Sequence, residues 1–211
     1  MNTENTDKAL DEKPTYEELI SLANGSDIEK RYHAISKLAL RYESRAAEMM
    51  ISFLEDKDYR IRKISAASLG LLKYKLAVEP LIKCLNDEDK HVRSGAVWAL
   101  EMIEDVRALG PLIKALNDED EITRYRAANA LGSKDARALE PLLKCLQSPD
   151  VDLRRYAAWA LGNIGDKTAL SFLQKLYQDE KMDTLLWDGK TLREIVTGAI
   201  EYIEEGMERN K

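Results

Sequence analysis

Two histidines and two cysteines in 211 residues are too few, and too far apart, to supply a zinc-ligand spacing. Also absent are a P-loop, the dinucleotide-binding glycine pattern and the Gly-x-Ser-x-Gly turn of a serine nucleophile. No apolar run approaches the length of a membrane span. The first residues, MNTENTDKALDEK, are polar and acidic, unlike a secretory signal, so no membrane partner and a cytoplasmic location are expected. An excess of positive charge is missing too. With 32 Lys and Arg against 38 Asp and Glu the net charge is −6, which argues against a general nucleic-acid binder, because phosphate binding rests on surplus cations. Strand-like alternation of apolar and polar residues is found nowhere.

What the chain does contain is a repeat. The stretch 89–120, DKHVRSGAVWALEMIEDVRALGPLIKALNDED, reads as two short amphipathic helices. Val92, Ala96, Val97, Leu100 and Ile103 recur at helical spacing, as do Ala108, Leu112, Ile113 and Leu116. Asp89 stands at the N-cap position, where its carboxylate accepts an orphan backbone N–H. The same Asp, followed four residues later by Arg, recurs at Asp27/Arg31, Asp58/Arg62, Asp89/Arg93, Asp120/Arg124 and Asp150/Arg154. Arg193, in LREIVTGAIEYI, extends the series with Gly189 in the Asp place. The Arg-to-Arg intervals are 31, 31, 31, 30 and 39. Lys83, Lys114, Lys144 and Lys175 keep the same period, and so do Pro80, Pro111 and Pro141.

This period predicts an all-α solenoid, with the 45% of hydrophobic residues sufficient for a continuous core. Residues 1–13 read as a disordered acidic tail, and 14–211 as a single repeat domain with an insertion at 179–189. Pro14 can open the first helix, since its missing N–H is not needed there. The first helices of the pairs are expected at about 14–24, 44–55, 75–86, 106–117, 136–147 and 167–178. The second helices are expected at about 27–41, 58–72, 89–103, 120–132, 150–164 and 190–205. Gly70, Gly132 and Gly162 share one position near the end of the second helix, where glycine allows close approach and helps the helix stop. The insertion reads as a capping loop that covers the last core layer with Leu185, Leu186 and Trp187. Cys84 and Cys145 occupy equivalent positions two repeats apart, on the order of 20 Å, beyond disulfide reach.

The pattern D-x-x-V-R-x-x-A-A-x-A-L-G, followed by A-x-x-P-L-I-K-x-L, resembles HEAT-like repeats of the short type found in phycobilin lyases. It is carried by VRSGAVWAL (92–100), TRYRAANALG (123–132) and LRRYAAWALGNIGD (153–166), with VEPLIKCLND (78–87) and LEPLLKCLQS (139–148) for the other helix. The resemblance implies a right-handed α-solenoid of about six HEAT-like helix pairs. It also implies a ladder of ion pairs joining Arg62, Arg93, Arg124 and Arg154 to the turn residues Asp58, Asp89, Asp120 and Asp150. Finally, it implies that the second helices line the concave face. The residues expected in that groove are Trp98, Tyr125, Arg126, Asn129, Arg155, Tyr156 and Trp159. Trp, Tyr and Arg dominate binding hot spots, which makes this cluster the candidate site. The Lys column belongs to the opposite surface.

Hydroxylases built from related repeats hold iron through His-Glu dyads. Here the histidines stand in His33-Ala34 and His91-Val92, so that activity is unsupported. The basic concave surface of DNA-repair relatives is also missing. Two functions are therefore expected of the groove. One is a non-enzymatic scaffold or adaptor that binds a protein or peptide and needs no cofactor or metal. The alternative is a phycobilin lyase subunit, working with a second HEAT-repeat subunit. In it Trp98, Tyr156 and Trp159 would stack on an open-chain tetrapyrrole, with Arg126 and Arg155 pairing its propionates.

Overall fold

The computed structural model describes residues 14–41, 44–133, 136–178 and 189–209. Among these residues the regular structure is helical, with twelve α-helices and no strand, arranged as the six expected pairs. The pairs are α1 (Tyr16–Ala23) with α2 (Ile28–Leu40), α3 (Ala47–Ser52) with α4 (Tyr59–Leu71), and α5 (Val78–Cys84) with α6 (Lys90–Ile103). They continue with α7 (Leu109–Ala115) and α8 (Glu121–Leu131), α9 (Leu139–Cys145) and α10 (Val151–Ile164), and α11 (Leu170–Tyr177) and α12 (Leu192–Arg209). The expected tail, 1–13, and all but Gly189 of the insertion lie outside the described residues.

Each second helix packs on its own first helix and on the second helices before and after it, so α2, α4, α6, α8, α10 and α12 form one stacked layer. No two successive first helices pack to a comparable extent. The layer whose helices lie closer together takes the inner radius of the curve, which puts the second helices on the concave side. Between the layers runs one core, built from Leu19, Ile35, Leu38, Ile61, Leu81, Leu100, Leu116, Leu142, Leu161 and Val196, all at most 1% exposed. Cys84 is buried within it, and burial pushes its thiol up to about 11; both cysteines are free thiols.

Asp27, Asp58, Asp89, Asp120 and Asp150 are all N-caps, each accepting a backbone N–H from the first turn of its helix. Pro14 does not open α1. Thr15 caps it, in a reciprocal box with Glu18. Threonine supplies an acceptor oxygen for the orphan N–H groups, which proline cannot do. The last helix uses the same device. Where Gly189 replaces the capping Asp, Thr191 and Glu194 form a box two residues later.

The arginine ladder exists, but its carboxylates are not those of the capping residues. Arg62 bonds Asp87 through Nε (2.8 Å) and Nη2 (2.7 Å), and Arg93 bonds Asp118 in the same forked way. Arg31 reaches Asp56 through Nη2 alone, its Nε donating to the Ala23 carbonyl instead. Each of these aspartates lies two residues before the next cap and accepts the N–H of that cap residue. The capping carboxylates are already committed to their own helix ends, so the residue two places upstream makes the rung. Nη1 of Arg62 meanwhile donates to the carbonyls of Asp56 and Lys57 in its own turn, and Nη1 of Arg93 to those of Asp87 and Glu88. Arg124 and Arg154 keep this clamp, on Asp118 and Glu119 and on Ser148 and Pro149. For Arg124 the rung position is Ser148, which bonds the N–H of Asp150 but offers no charge. Its guanidinium lies over the Tyr156 ring instead, 5.6 Å from the centroid.

The glycines act by close approach. A β-carbon on Gly70 would lie 2.6 Å from Cα of Ala99, and one on Gly162 2.9 Å from Cβ of Ala199. Gly70 and Gly162 do not end their helices. The left-handed C-caps are Gly165 (φ 74°) on α10 and Glu104 (φ 58°) on α6, while Gly132 caps α8 with an ordinary right-handed φ.

Three outcomes follow from this arrangement. Arg93→Ala strands the buried Asp118 carboxylate and should cost about 3–5 kcal/mol. Arg124→Ala strands only carbonyls and should cost roughly 1–2 kcal/mol, both read by urea denaturation. Gly70→Ala should cost about 1–3 kcal/mol by overpacking, whereas Gly198→Ala, with nothing within 4 Å, should not destabilise. Asp58 is held down at about 2 by its hydrogen bond to Arg60. A carboxyl depressed in the folded state stabilises above its unfolded value near 4 and loses that contribution as pH falls towards 2. Melting temperature should therefore drop across that window, and drop less steeply there in Asp58→Asn.

Candidate functional site

The inner surface is built from the residues one, two and five places after each ladder arginine. From α8 these are Tyr125, Arg126 and Asn129, and from α10 Arg155, Tyr156 and Trp159. Helical geometry puts Asn129 between Tyr125 and Arg126 on one face, because residues three and four apart are neighbours. Tyr125 is 47% exposed, and its ring lies 5.9 Å from that of Trp159 at an angle of 53°. Trp159 is half-buried, and its indole N–H donates to Asn129 Oδ1 at 2.9 Å. Asn129 thus fixes the Trp159 ring across the gap between helices and uses up its one polar atom. The indole offers the groove an apolar surface only.

Tyr125 and Trp159 stand over a cavity of about 420 Å³, completed by Glu121, Ile122, Arg155, Tyr156, Lys190 and Ile195. A second cavity of about 330 Å³ continues from it between α10 and α12, sharing Trp159, Lys190 and Ile195 and reaching Asn163 and Tyr202. Gly198 leaves it open, with no atom within 4 Å of where its β-carbon would be. The two form a trough across the last three second helices.

Not every expected residue reaches this trough. Tyr156 is only 2% exposed, so it belongs to the core and shows the cavity little more than an edge. Its ring is held between Arg124 and Arg155, the latter 4.8 Å from the centroid, and burial raises its hydroxyl pKa against their opposing charge. Arg155 is itself buried, with Asp152 3.8 Å away. Trp98 lies on α6, two second helices from Trp159, and covers Gly70 of α4. Trp98, Tyr156 and Trp159 are therefore not gathered on one wall. Arg126 is exposed on α8 and feels Glu101 of α6, whose own pKa burial raises against that cation.

Several lining residues lie outside that candidate set, among them Glu121, Ile122, Asn163, Lys190, Ile195 and Tyr202. Ile122 carried a usable signal, since it is an apolar side chain off the buried stripe and is 54% exposed. Lys190 had none. It follows the insertion, at the place after the cap that Ile28, Tyr59, Lys90, Glu121 and Val151 fill in the other units with no common chemistry. Lys83, Lys114, Lys144 and Lys175 are exposed on the first helices, away from the trough. No group of His, Cys, Asp and Glu among the described residues could hold a metal ion, and no helix there is long and apolar enough to cross a membrane.

Stacked helix pairs joined by a repeating arginine rung, with an open inner surface, define an α-solenoid repeat protein. The family model for HEAT repeats matches residues 16–101, 64–132 and 109–187, and the chain belongs to that family. No curated protein matches the sequence. Among solved structures, an engineered protein is 23% identical with a TM-score of 0.61, over 92% of this chain and all of its own length. A designed armadillo repeat protein in complex with the peptide (KR)4 is 20% identical with a TM-score of 0.58, over 90% of this chain and all of its own. The complex of CpcE and CpcF of phycocyanin lyase from Nostoc sp. PCC7120 is 24% identical with a TM-score of 0.49, over 92% of this chain and 89% of that one. The first two likenesses establish the fold. The last is too loose to bear on function.

Proposed function

We propose that this HEAT-repeat solenoid is a non-enzymatic scaffold that binds an extended segment of a partner protein in the trough across α8, α10 and α12. The observation that carries the reading is the Tyr125–Trp159 pair, held by Asn129 above an open cavity that continues onto α12. Trp159 rests one side on the core and Tyr125 stands 47% exposed beside it, more aromatic surface than the core layer needs. These large, rigid rings lose little conformational freedom on binding, which is why such residues act as anchors. The trough spans three helices about 10 Å apart, a length suited to roughly six to nine extended residues at about 3.3 Å each.

Trp159→Ala and Tyr125→Ala should each weaken binding of the partner segment at least about tenfold, in keeping with anchors of about 2 kcal/mol. Lys114→Ala, an exposed charge on the outer layer, should leave it unchanged. Isothermal titration of the recovered partner against the three variants reads this directly. Loss on Lys114→Ala with no loss on Trp159→Ala would place the binding surface on the other side of the solenoid. Arg155 is a poor test, because its buried position makes its removal a stability change first.

A further inference from the structure

We infer that the segment taken by this trough carries a carboxylate side chain about three residues from its apolar anchor, and that Arg126 recognises it. The inference rests on the peptide-binding reading above. Its ground is a comparison of how the charged groups of the inner layer are used. Among the described residues Arg126 is the one arginine that makes no hydrogen bond, ion pair or ring contact. The ladder arginines are spent on aspartates and turn carbonyls, Arg155 has Asp152, and Arg193 has the Tyr177 carbonyl. Arg126 keeps its whole fork, on the inner layer, one residue from Tyr125 and three from Asn129.

The anions of the same surface are already engaged. Glu194 accepts both the N–H (2.6 Å) and the hydroxyl (3.1 Å) of Thr191 in the cap of α12. Glu121 has a partner of its own. Glu101 is half-buried and near enough to Arg126 to feel its charge, but it makes no hydrogen bond or ion pair with it. A basic segment would therefore meet carboxylates that are already committed or half-buried. An acidic one would meet an unspent guanidinium, whose planar fork matches a carboxylate. The acidic turns at the edge of the solenoid do not cancel this locally, since charges more than about 8 Å apart are largely screened at physiological salt.

Spacing comes from the geometry. Arg126 faces α6, where Glu101 lies, while the Tyr125–Trp159 cavity lies between α8 and α10. The two are separated by about one helix spacing, some 10 Å, or roughly three residues of extended chain.

The test is selection of a random peptide library displayed on phage against the intact chain and, in parallel, against Arg126→Glu and Trp159→Ala. Arg126 is exposed, so its variant should keep the wild-type melting temperature, which is measured alongside. The wild type should enrich Asp or Glu about three positions from Phe, Trp or Leu. In the best peptide, replacing that acid by its amide should weaken binding about tenfold, the loss of one charge-assisted hydrogen-bonded pair. Arg126→Glu should select Lys or Arg at the same position. Enrichment of apolar anchors with no acid, or of basic residues by the wild type, overturns the role of Arg126 while the sensitivity to Trp159→Ala upholds the trough. Peptides that bind Trp159→Ala as well as the wild type overturn the trough itself, and the inference with it.

Discussion

Everything in this molecule hangs on the forked arginine that ties one helix pair to the next. A pair of short helices cannot bury its own apolar face, so each unit is stable only when its neighbours are correctly docked. The arginine sets that docking by holding two partners at once. Nη1 closes the turn inside its own unit, and Nε with Nη2 grips the aspartate that shapes the following turn. That aspartate in turn accepts the N–H of the next cap residue. Turn geometry, helix start and neighbour position are therefore coupled through one side chain. Buried as it is, the ion pair is no large source of stability in itself. Its weight lies in what its removal would leave unpaired.

The ladder changes where the trough begins. At Ser148 the repeat loses its carboxylate, and the Tyr156 ring occupies the space beside Arg124. Tyr156 then forms the floor on which Arg155 rests, and Tyr125 and Trp159 stand at the edge of the same cavity. The electrostatic rung is exchanged for an aromatic one at the level where the inner surface becomes apolar. Close approach at Gly70 and Gly162 keeps the inner helices tight, while Gly198 withholds a side chain next to Trp159 and leaves room for a ligand.

Much of this was legible in the chain itself. Residue spacing determined the all-α class, the six pairs, the five capping aspartates and the presence of the arginine column, because these depend on local periodicity and on contacts within one turn of helix. The Lys column lies on the first helices, and it was the resemblance to HEAT-like repeats, not the period, that set it apart from the inner face. Tertiary structure decided which aspartate completes each rung. Cap and rung residues are two apart, and both are Asp in the units headed by Arg62 and Arg93, so spacing alone cannot divide their roles. It also decided that Tyr156 is core while Tyr125 is surface. The two are one position apart in the repeat, and their exposure depends on what the neighbouring unit presents. Lys190 and Tyr202 reach the trough only through the packing of α12 beside α10. The fate of a side chain between stacked units is set by the curvature of the stack and by the size of the residue facing it, and neither is written in the period of a single repeat.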